Sequence, residues 1–422
     1  MTTMFLIIAI WHFRIVSVLI GLGIEEVLSR CCVKSKIAIF IPEIAENIRR
    51  GYQRIFLADL EILSLYFEID IYTYTAAENI PSVNKKFNVI QIPNNFFLTI
   101  IGAFYSLLKF RSIRAAKSMG IFLPSKWSKF KNFNYHKYIF YTPRMAYFFK
   151  EEILSKSIII SIDPYPIFIR NISKISRNYF IRFFGKIEFY LGLAGDRYLI
   201  SKAKWFTLIN SRDVRIYSRF FHAKNIVKSI YSVQDQNYKK TETKGRKYIT
   251  CFGNFNFIPN KMALENILYK LHPFFIRNKK IKLCFAGSGI ENFAALSDFK
   301  DVRFITNPKS FENILSQSLI SLSIANIQVG IQSKILESLS EGVPVAVFPN
   351  SVKGLDAKTG NGFLLIKSES YEELYQEICN LYYDFDKWSL LSIGGQNFVK
   401  SYHSFGNLKK HWEFLIQLNS PR

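Results

Sequence analysis

The chain has 422 residues and a formal net charge of +24; 49% of it is hydrophobic and 21% charged. That balance excludes a disordered chain and leaves room for two or three domains, each with its own core. No repeat period occurs and a single apolar run approaches bilayer length, so collagen, coiled-coil and polytopic membrane classes are excluded as well.

In chain order, that run comes first, from Phe5 to Gly23, interrupted by His12 and Arg14. A central arginine costs about 2.5–3.5 kcal/mol to insert in a bilayer. No charged region precedes the run and no small-residue cleavage site follows it, so residues 1–35 are expected to form a non-spanning extension. From Lys36 the pattern changes to short apolar runs (37–41, 69–74, 89–92, 138–141, 158–162 and 205–209). Between them lie segments of helical period (51–67, 96–118, 143–155, 174–200 and 211–220). Continuous apolar strands separated by helices predict a parallel sheet covered on both faces. Residues 36–232 are expected to form this first Rossmann-like domain, with 233–246 as a polar linker.

The alternation restarts at Tyr248. Apolar runs 249–252, 283–286, 302–305, 319–324 and 343–348 alternate with helices near 260–275, 310–317 and 331–341. The second domain is expected over 247–386. Helical segments at 370–384 and 387–418 follow, and residues 387–422 are expected to pack back toward the first domain. Two consecutive βα domains predict a ligand cleft lined by the carboxyl ends of both sheets.

The charge is unevenly spread. Residues 36–232 carry 30 bases against 13 acids, and between Glu78 and Glu151 there are twelve bases and no acid. Bases alternate with aromatics at Lys126, Trp127, Lys129, Phe130 and Lys131. Such a surface attracts nucleic acid, an anionic membrane or a phosphorylated substrate. The five cysteines form no CxxC and read as reduced, intracellular thiols. The six histidines have no metal-ligand spacing. Asp384-Phe-Asp386 spells DxD but sits at a helix junction, where a capping role is expected.

The sharpest stretch is Gly330-Ile-Gln-Ser-Lys334-Ile-Leu-Glu337-Ser-Leu-Ser-Glu-Gly342-Val-Pro344, read as loop, helix, turn and buried strand. Lys334 and Glu337 share a helix face near its start. An ammonium at a helix N-terminus suits a diphosphate, and a carboxylate one turn on accepts hydrogen bonds from ribose hydroxyls. The plainer alternative is an exposed ion pair.

The stretch resembles the signature of retaining GT-B glycosyltransferases of family 4. Gly253-Asn-Phe-Asn256-Phe-Ile-Pro259-Asn260-Lys-Met-Ala263, Phe285-Ala-Gly287-Ser-Gly289 and Pro42-Glu-Ile-Ala-Glu46-Asn-Ile-Arg49-Arg-Gly51-Tyr52 resemble further segments of its PEP-CTERM-associated sugar transferase branch. Asp163 and Glu188 stand where that branch carries acids. The resemblance covers about residues 36–418 and implies a GT-B fold, two Rossmann-like βα domains facing each other across a cleft. It implies transfer from a nucleotide-sugar, with retention and without metal or other cofactor. Glu337 resembles the second Glu of the family's Glu-x7-Glu motif, and Lys334 its diphosphate-binding base. Gly253, Asn254 and Lys261 fall beside the phosphates. Asn350 to Gly354 occupies the donor-loop position without the usual paired glycines. The first Glu of the motif is replaced by Val329, with Gln328 and Gln332 as polar neighbours. Glu46 and Arg49 are expected to face the donor phosphates and acceptor, and Asp163 to orient an acceptor hydroxyl or cap its own turn.

The expectation is therefore a glycosyltransferase on the inner face of the cell membrane, acting on a lipid-linked or envelope polysaccharide acceptor. It docks on anionic lipid through Lys126, Lys129 and Lys131. Val329 motivates the alternative, a catalytically silent subunit of an envelope-synthesis complex. A nucleic-acid partner is not expected, because no recognised module accompanies the charge.

Overall fold

The computed structural model describes residues 34–44, 51–93, 96–122, 134–176, 178–233, 246–276, 280–293, 297–324, 330–352, 354–355 and 360–417. Two parallel sheets organise them. The first holds β1 (Lys36–Phe40), β2 (Glu68–Thr73), β3 (Asn88–Gln91), β4 (Lys137–Tyr141), β5 (Ser157–Ser161), β6 (Trp205–Leu208) and β7 (Ile226–Lys228), in the order β3-β2-β1-β4-β5-β6-β7. The second holds β8 (Tyr248–Asn254), β9 (Lys282–Ser288), β10 (Arg303–Thr306), β11 (Ser318–Ser323), β12 (Val345–Val347) and β13 (Phe363–Leu365), in the order β10-β9-β8-β11-β12-β13. All pairings are parallel, for example Ile39 with Ile71 and Ile139, and Cys251 with Phe285. This is the doubly wound arrangement of a GT-B fold, and each sheet reverses its strand order beside its first strand. A crevice opens there, at the carboxyl ends of β1 and β4 and of β8 and β11.

Among the described residues the helices of eight or more residues are α1 (Gly51–Tyr66), α2 (Phe96–Leu108), α3 (Tyr165–Ile175), α4 (Tyr179–Lys202), α5 (Ser211–Phe221), α6 (Ile258–Asn266), α7 (Ser333–Ser340), α8 (Tyr371–Tyr383), α9 (Phe385–Tyr402) and α10 (Phe405–Gln417). Strands β4 and β5 are buried along their whole length, as apolar runs covered on both faces must be. The last helix packs on the first. Trp412 Nε1 donates to Asp59 Oδ1 of α1 at 2.6 Å, and Tyr66 Oη donates to Glu413 at 2.8 Å.

Several expected elements divide. The segment 174–200 is not one helix: Asn178 accepts from the Phe180 and Ile181 amides and so starts α4 afresh after α3. The helix over 96–118 stops at Leu108, where Phe110 turns to φ +51°, and continues as a 3-10 turn over Ile113–Phe122. The expected 143–155 helix is a 3-10 turn at Pro143–Met145 and a short helix at Glu151–Leu154. The 387–418 helix breaks at buried His403, whose Nδ1 is tied to the Tyr231 carbonyl at 2.8 Å. Strands β7 and β13 have three residues each, too few for a periodic pattern to betray them.

Candidate functional site

On the second-sheet side the site grows from the end of β8. Asn254 closes that strand, and its carbonyl accepts from Asn260 Nδ2 at 2.9 Å. Asn260, in the first turn of α6, turns its Oδ1 to Lys334 Nζ at 3.2 Å. Lys334 lies in the first turn of α7. It is buried, and burial pushes its pKa down, with the Cys251 thiol opposing weakly. Among the described residues no carboxylate pairs with it. A buried ammonium with one neutral acceptor, beside helix N–H groups, is short of negative charge.

Close backbone approach shapes the floor. A Cβ on Gly287 (φ +151°) would stand 1.7 Å from the Gly253 carbonyl oxygen, so the ends of β8 and β9 meet as they do only because that residue is glycine. Lys261 is exposed on α6. Glu337, one turn beyond Lys334, lines a cavity of about 340 Å³ with Ser310, Phe311 and Leu315, facing Leu57 and Ala58 of α1.

The first sheet meets this half at the loop before α7. The Gly330 amide donates to Asp213 Oδ2 at 3.0 Å, and its carbonyl accepts from Asn210 Nδ2 at 3.0 Å. Asn210 follows β6 and caps α5, accepting from the Arg212 and Asp213 amides. Gly330 has φ +69°, and a Cβ there would fall 1.7 Å from Asp163 Oδ1. Gly354, in the expected donor loop, is pressed on the same Asn210 side chain.

Asp163 thus stands at the end of β5, against the opposite lobe. Protein packed around its carboxyl, and second the like charge of Asp213, raise its pKa to about 7. The residue keeps an exposed face on the cleft, and water reaching that face moderates the desolvation. Burial raises Asp213 to about 6, opposed by the Gly330 amide and the Arg212 charge. Asp163 also borders a cavity of about 450 Å³ formed with Glu43, Tyr74, Arg114, Lys117, Thr142, Arg144 and Tyr165.

The structure therefore brings together Gly253, Asn254 and Lys334 on one side of the cleft and sets Asp163 on the other. Glu188 is buried inside the first lobe, where it accepts from the Ser112 hydroxyl and the Ile113 amide. Glu46 and Arg49, Lys126, Lys129 and Lys131, and Gln328 and Val329 lie outside the described residues. Asp384 caps α9, accepting from the Lys387 amide at 2.8 Å. His272 pairs with Asp301, and no group of three potential metal ligands occurs among the described residues. Asn210, Asp213, Thr142 and Arg144 escaped the sequence reading. Their signal was positional: each lies within five residues past the end of a parallel strand, where ligands of such sheets gather.

No family model and no curated protein matches the sequence. Solved structures match its fold. WaaG, a glycosyltransferase involved in lipopolysaccharide biosynthesis, aligns with a TM-score of 0.63 at 11% identity, over 90% of this chain and 99% of that one. Sucrose-phosphate synthase from Thermosynechococcus elongatus gives 0.63 at 10% identity, over 91% and 99%. Anabaena HepE in complex with UDP-glucose gives 0.58 at 9% identity, over 91% and 100%. These neighbours are GT-B glycosyltransferases, and at such identities the likeness is one of fold.

Proposed function

We propose that the protein is a retaining, metal-independent hexosyltransferase of the family 4 type. It moves a sugar from a nucleotide-sugar to a lipid-linked or envelope polysaccharide acceptor. One observation carries the reading: the buried, carboxylate-free ammonium of Lys334 at the start of α7, held by Asn260 beside the end of β8. As the bond from the sugar's anomeric carbon to the diphosphate breaks, negative charge builds on the leaving group. A fixed cation and helix N–H groups in a partly dry site stabilise that charge more than they stabilise the ground state. Gly253, Asn254 and Lys261 border the phosphates, and Glu337 takes the ribose hydroxyls. The new bond forms from the acceptor oxygen on the same face of the sugar, and the acceptor proton passes to the departing phosphate. Asp163 orients that hydroxyl, with Glu46 and Arg49 completing the opposing loop.

The acceptor side is read as membrane-facing. Two helices of the first lobe are built inside out. Along α2, Phe97, Ile101, Phe104 and Leu108 form one stripe and are 57–76% exposed, while Gly102 and Ser106 face inward. Along α4, Phe180, Phe183, Phe184 and Tyr190 are exposed while Glu188, Gly192, Gly195 and Asp196 are buried. Exposed bases (Lys109, Lys117, Arg182, Lys186) accompany both faces, which suits the interface of an anionic bilayer better than water. In sequence, Lys126, Lys129 and Lys131 add to the basic content of this lobe. Among the described residues no helix is long and apolar enough to cross a membrane.

The test is a thermal-shift and turnover screen against UDP-, GDP- and other nucleotide-sugars. A bound donor raises the melting temperature by mass action, and Lys334→Ala abolishes the rise. Absence of any shift with every donor would sink the reading.

A further inference from the structure

Among the described residues, the cavity beside Asp163 holds more positive charge than its own walls neutralise. Arg114, Lys117 and Arg144 all line it, against Glu43 and Asp163. The guanidiniums of Arg144 and Arg114 both lie over the ring of Tyr165, at 4.5 and 5.6 Å from its centroid. That ring draws two like charges to one place, which costs Coulomb energy unless an anion joins them. Among the described residues none of the three cations makes a salt bridge. Asp196 lies behind Arg144, but its carboxylate is already occupied by the hydroxyls of Tyr147 and Tyr217.

A second observation marks the same wall. Thr142, immediately past β4, has φ +84°, a conformation that a β-branched residue reaches only under strain. Its Oγ1 is buried and has no hydrogen-bond partner among the described residues. Strain and an orphaned hydroxyl together persist where the surroundings are built for something besides stability.

We propose that this cavity binds a phosphate ester carried by the acceptor, close to the hydroxyl that receives the sugar. This rests on the reading of the cavity as the acceptor side. Two guanidinium forks and one ammonium match the several oxygens of a phosphoryl or diphosphoryl group better than the two of a carboxylate. Asp163, on the border between this cavity and the Gly330 loop, then lies between the held phosphate and the donor. The phosphate fixes the acceptor's register, and Asp163 selects the hydroxyl within reach.

The experiment is calorimetric titration of the full chain with inorganic pyrophosphate, which fits both this cavity and the Lys334 site. Wild type is expected to show two classes of site. Lys334→Ala loses one, and Arg114→Gln with Arg144→Gln weakens the other by about tenfold per guanidinium removed. Should the double variant bind as wild type does, the proposal is overturned. Should Lys334→Ala bind as wild type does, the donor reading fails instead, so the two failures are distinct. If the double variant does not fold, Lys117→Gln, an exposed change, serves in its place, with a loss of about threefold expected and an unchanged isotherm overturning the proposal. Polyprenyl phosphate in detergent micelles and a soluble hexose phosphate separate the sources. The one whose binding falls in the arginine variants identifies the acceptor class, and insensitivity of both overturns the proposal.

Discussion

The two sides of the cleft solve different problems with different material. On the second-sheet side one buried lysine, two asparagines and a close-packed pair of glycines make a compact seat, all within short segments ending β8 and opening α6 and α7. On the first-sheet side the site is dispersed: Thr142 and Arg144 follow β4, Asp163 follows β5, and Asp213 follows β6. The compact side suits a ligand that is the same in every reaction of its kind. The dispersed side, with its surplus charge and outward-facing apolar helices, suits a partner particular to this protein. Uniform chemistry can be held by a contiguous motif, whereas a particular acceptor is met by whatever the strand ends happen to carry.

Breaking the compact side has the largest expected effect. Lys334→Met removes the buried ammonium seated there and should weaken nucleotide-sugar binding by about 100-fold, near 3 kcal/mol. It also removes a buried charge that lacks a carboxylate, so the ligand-free protein should melt no lower than wild type. Calorimetric binding read beside thermal unfolding checks the pair of outcomes. Equal loss of both would mean that Lys334 is structural.

On the dispersed side, if Asp163 meets the acceptor as proposed, Asp163→Asn should lower kcat by about 100-fold while leaving donor affinity nearly unchanged. Its raised pKa adds a pH signature. The carboxylate form predominates above about 7, so wild-type kcat should climb through that limb and the variant's profile should lose it. A donor affinity that falls as far as kcat would place Asp163 in the compact half.

The apolar faces sharpen the contrast further. On the proposed docking of this face, Phe97→Ser with Phe104→Ser should reduce binding to anionic vesicles by about tenfold without lowering the melting temperature. A fall in melting temperature would mean that those rings pack within the protein.

The smallest effect concerns the seam joining the chain's end to the first lobe. Asp59 is wholly buried between Tyr141 and Trp412, and burial raises its pKa from 3.8 to about 7. The folded state therefore binds its proton more tightly than the unfolded chain does. The resulting stability is full below about pH 4 and is lost as pH rises through about 7. Asp59→Asn should flatten that dependence, narrowing the melting-temperature difference between pH 5 and pH 8 by a few degrees. Asp196 and Asp163, also raised to about 7, and Asp213, raised to about 6, add slope of the same sign.

Much of this protein was legible in the sequence. Fully buried parallel strands announce themselves as unbroken apolar runs, and eight of the thirteen strands among the described residues share at least four residues with one of the expected runs. The Lys334 stretch was readable because loop, helix start and base are neighbours in the chain. Helix breaks were not, since Asn178 capping α4 and His403 bonded to Tyr231 compete with a periodicity that continues across them. Nor could the sequence bring Arg144 and Arg114 over the Tyr165 ring, or set Asp163 against Gly330.

The charge shows the division most clearly. By itself the sequence determined that the chain is strongly basic and that most of the excess belongs to its first half. Only the tertiary structure decided that part of that excess converges on one cavity, because parallel strands far apart in sequence deliver their carboxyl ends to the same edge of a sheet. Likewise, hydrophobic content was plain from composition, but which face of α2 and α4 looks outward depended on packing. Small and polar residues fitted the crowded interior there, and the large apolar ones were left outside.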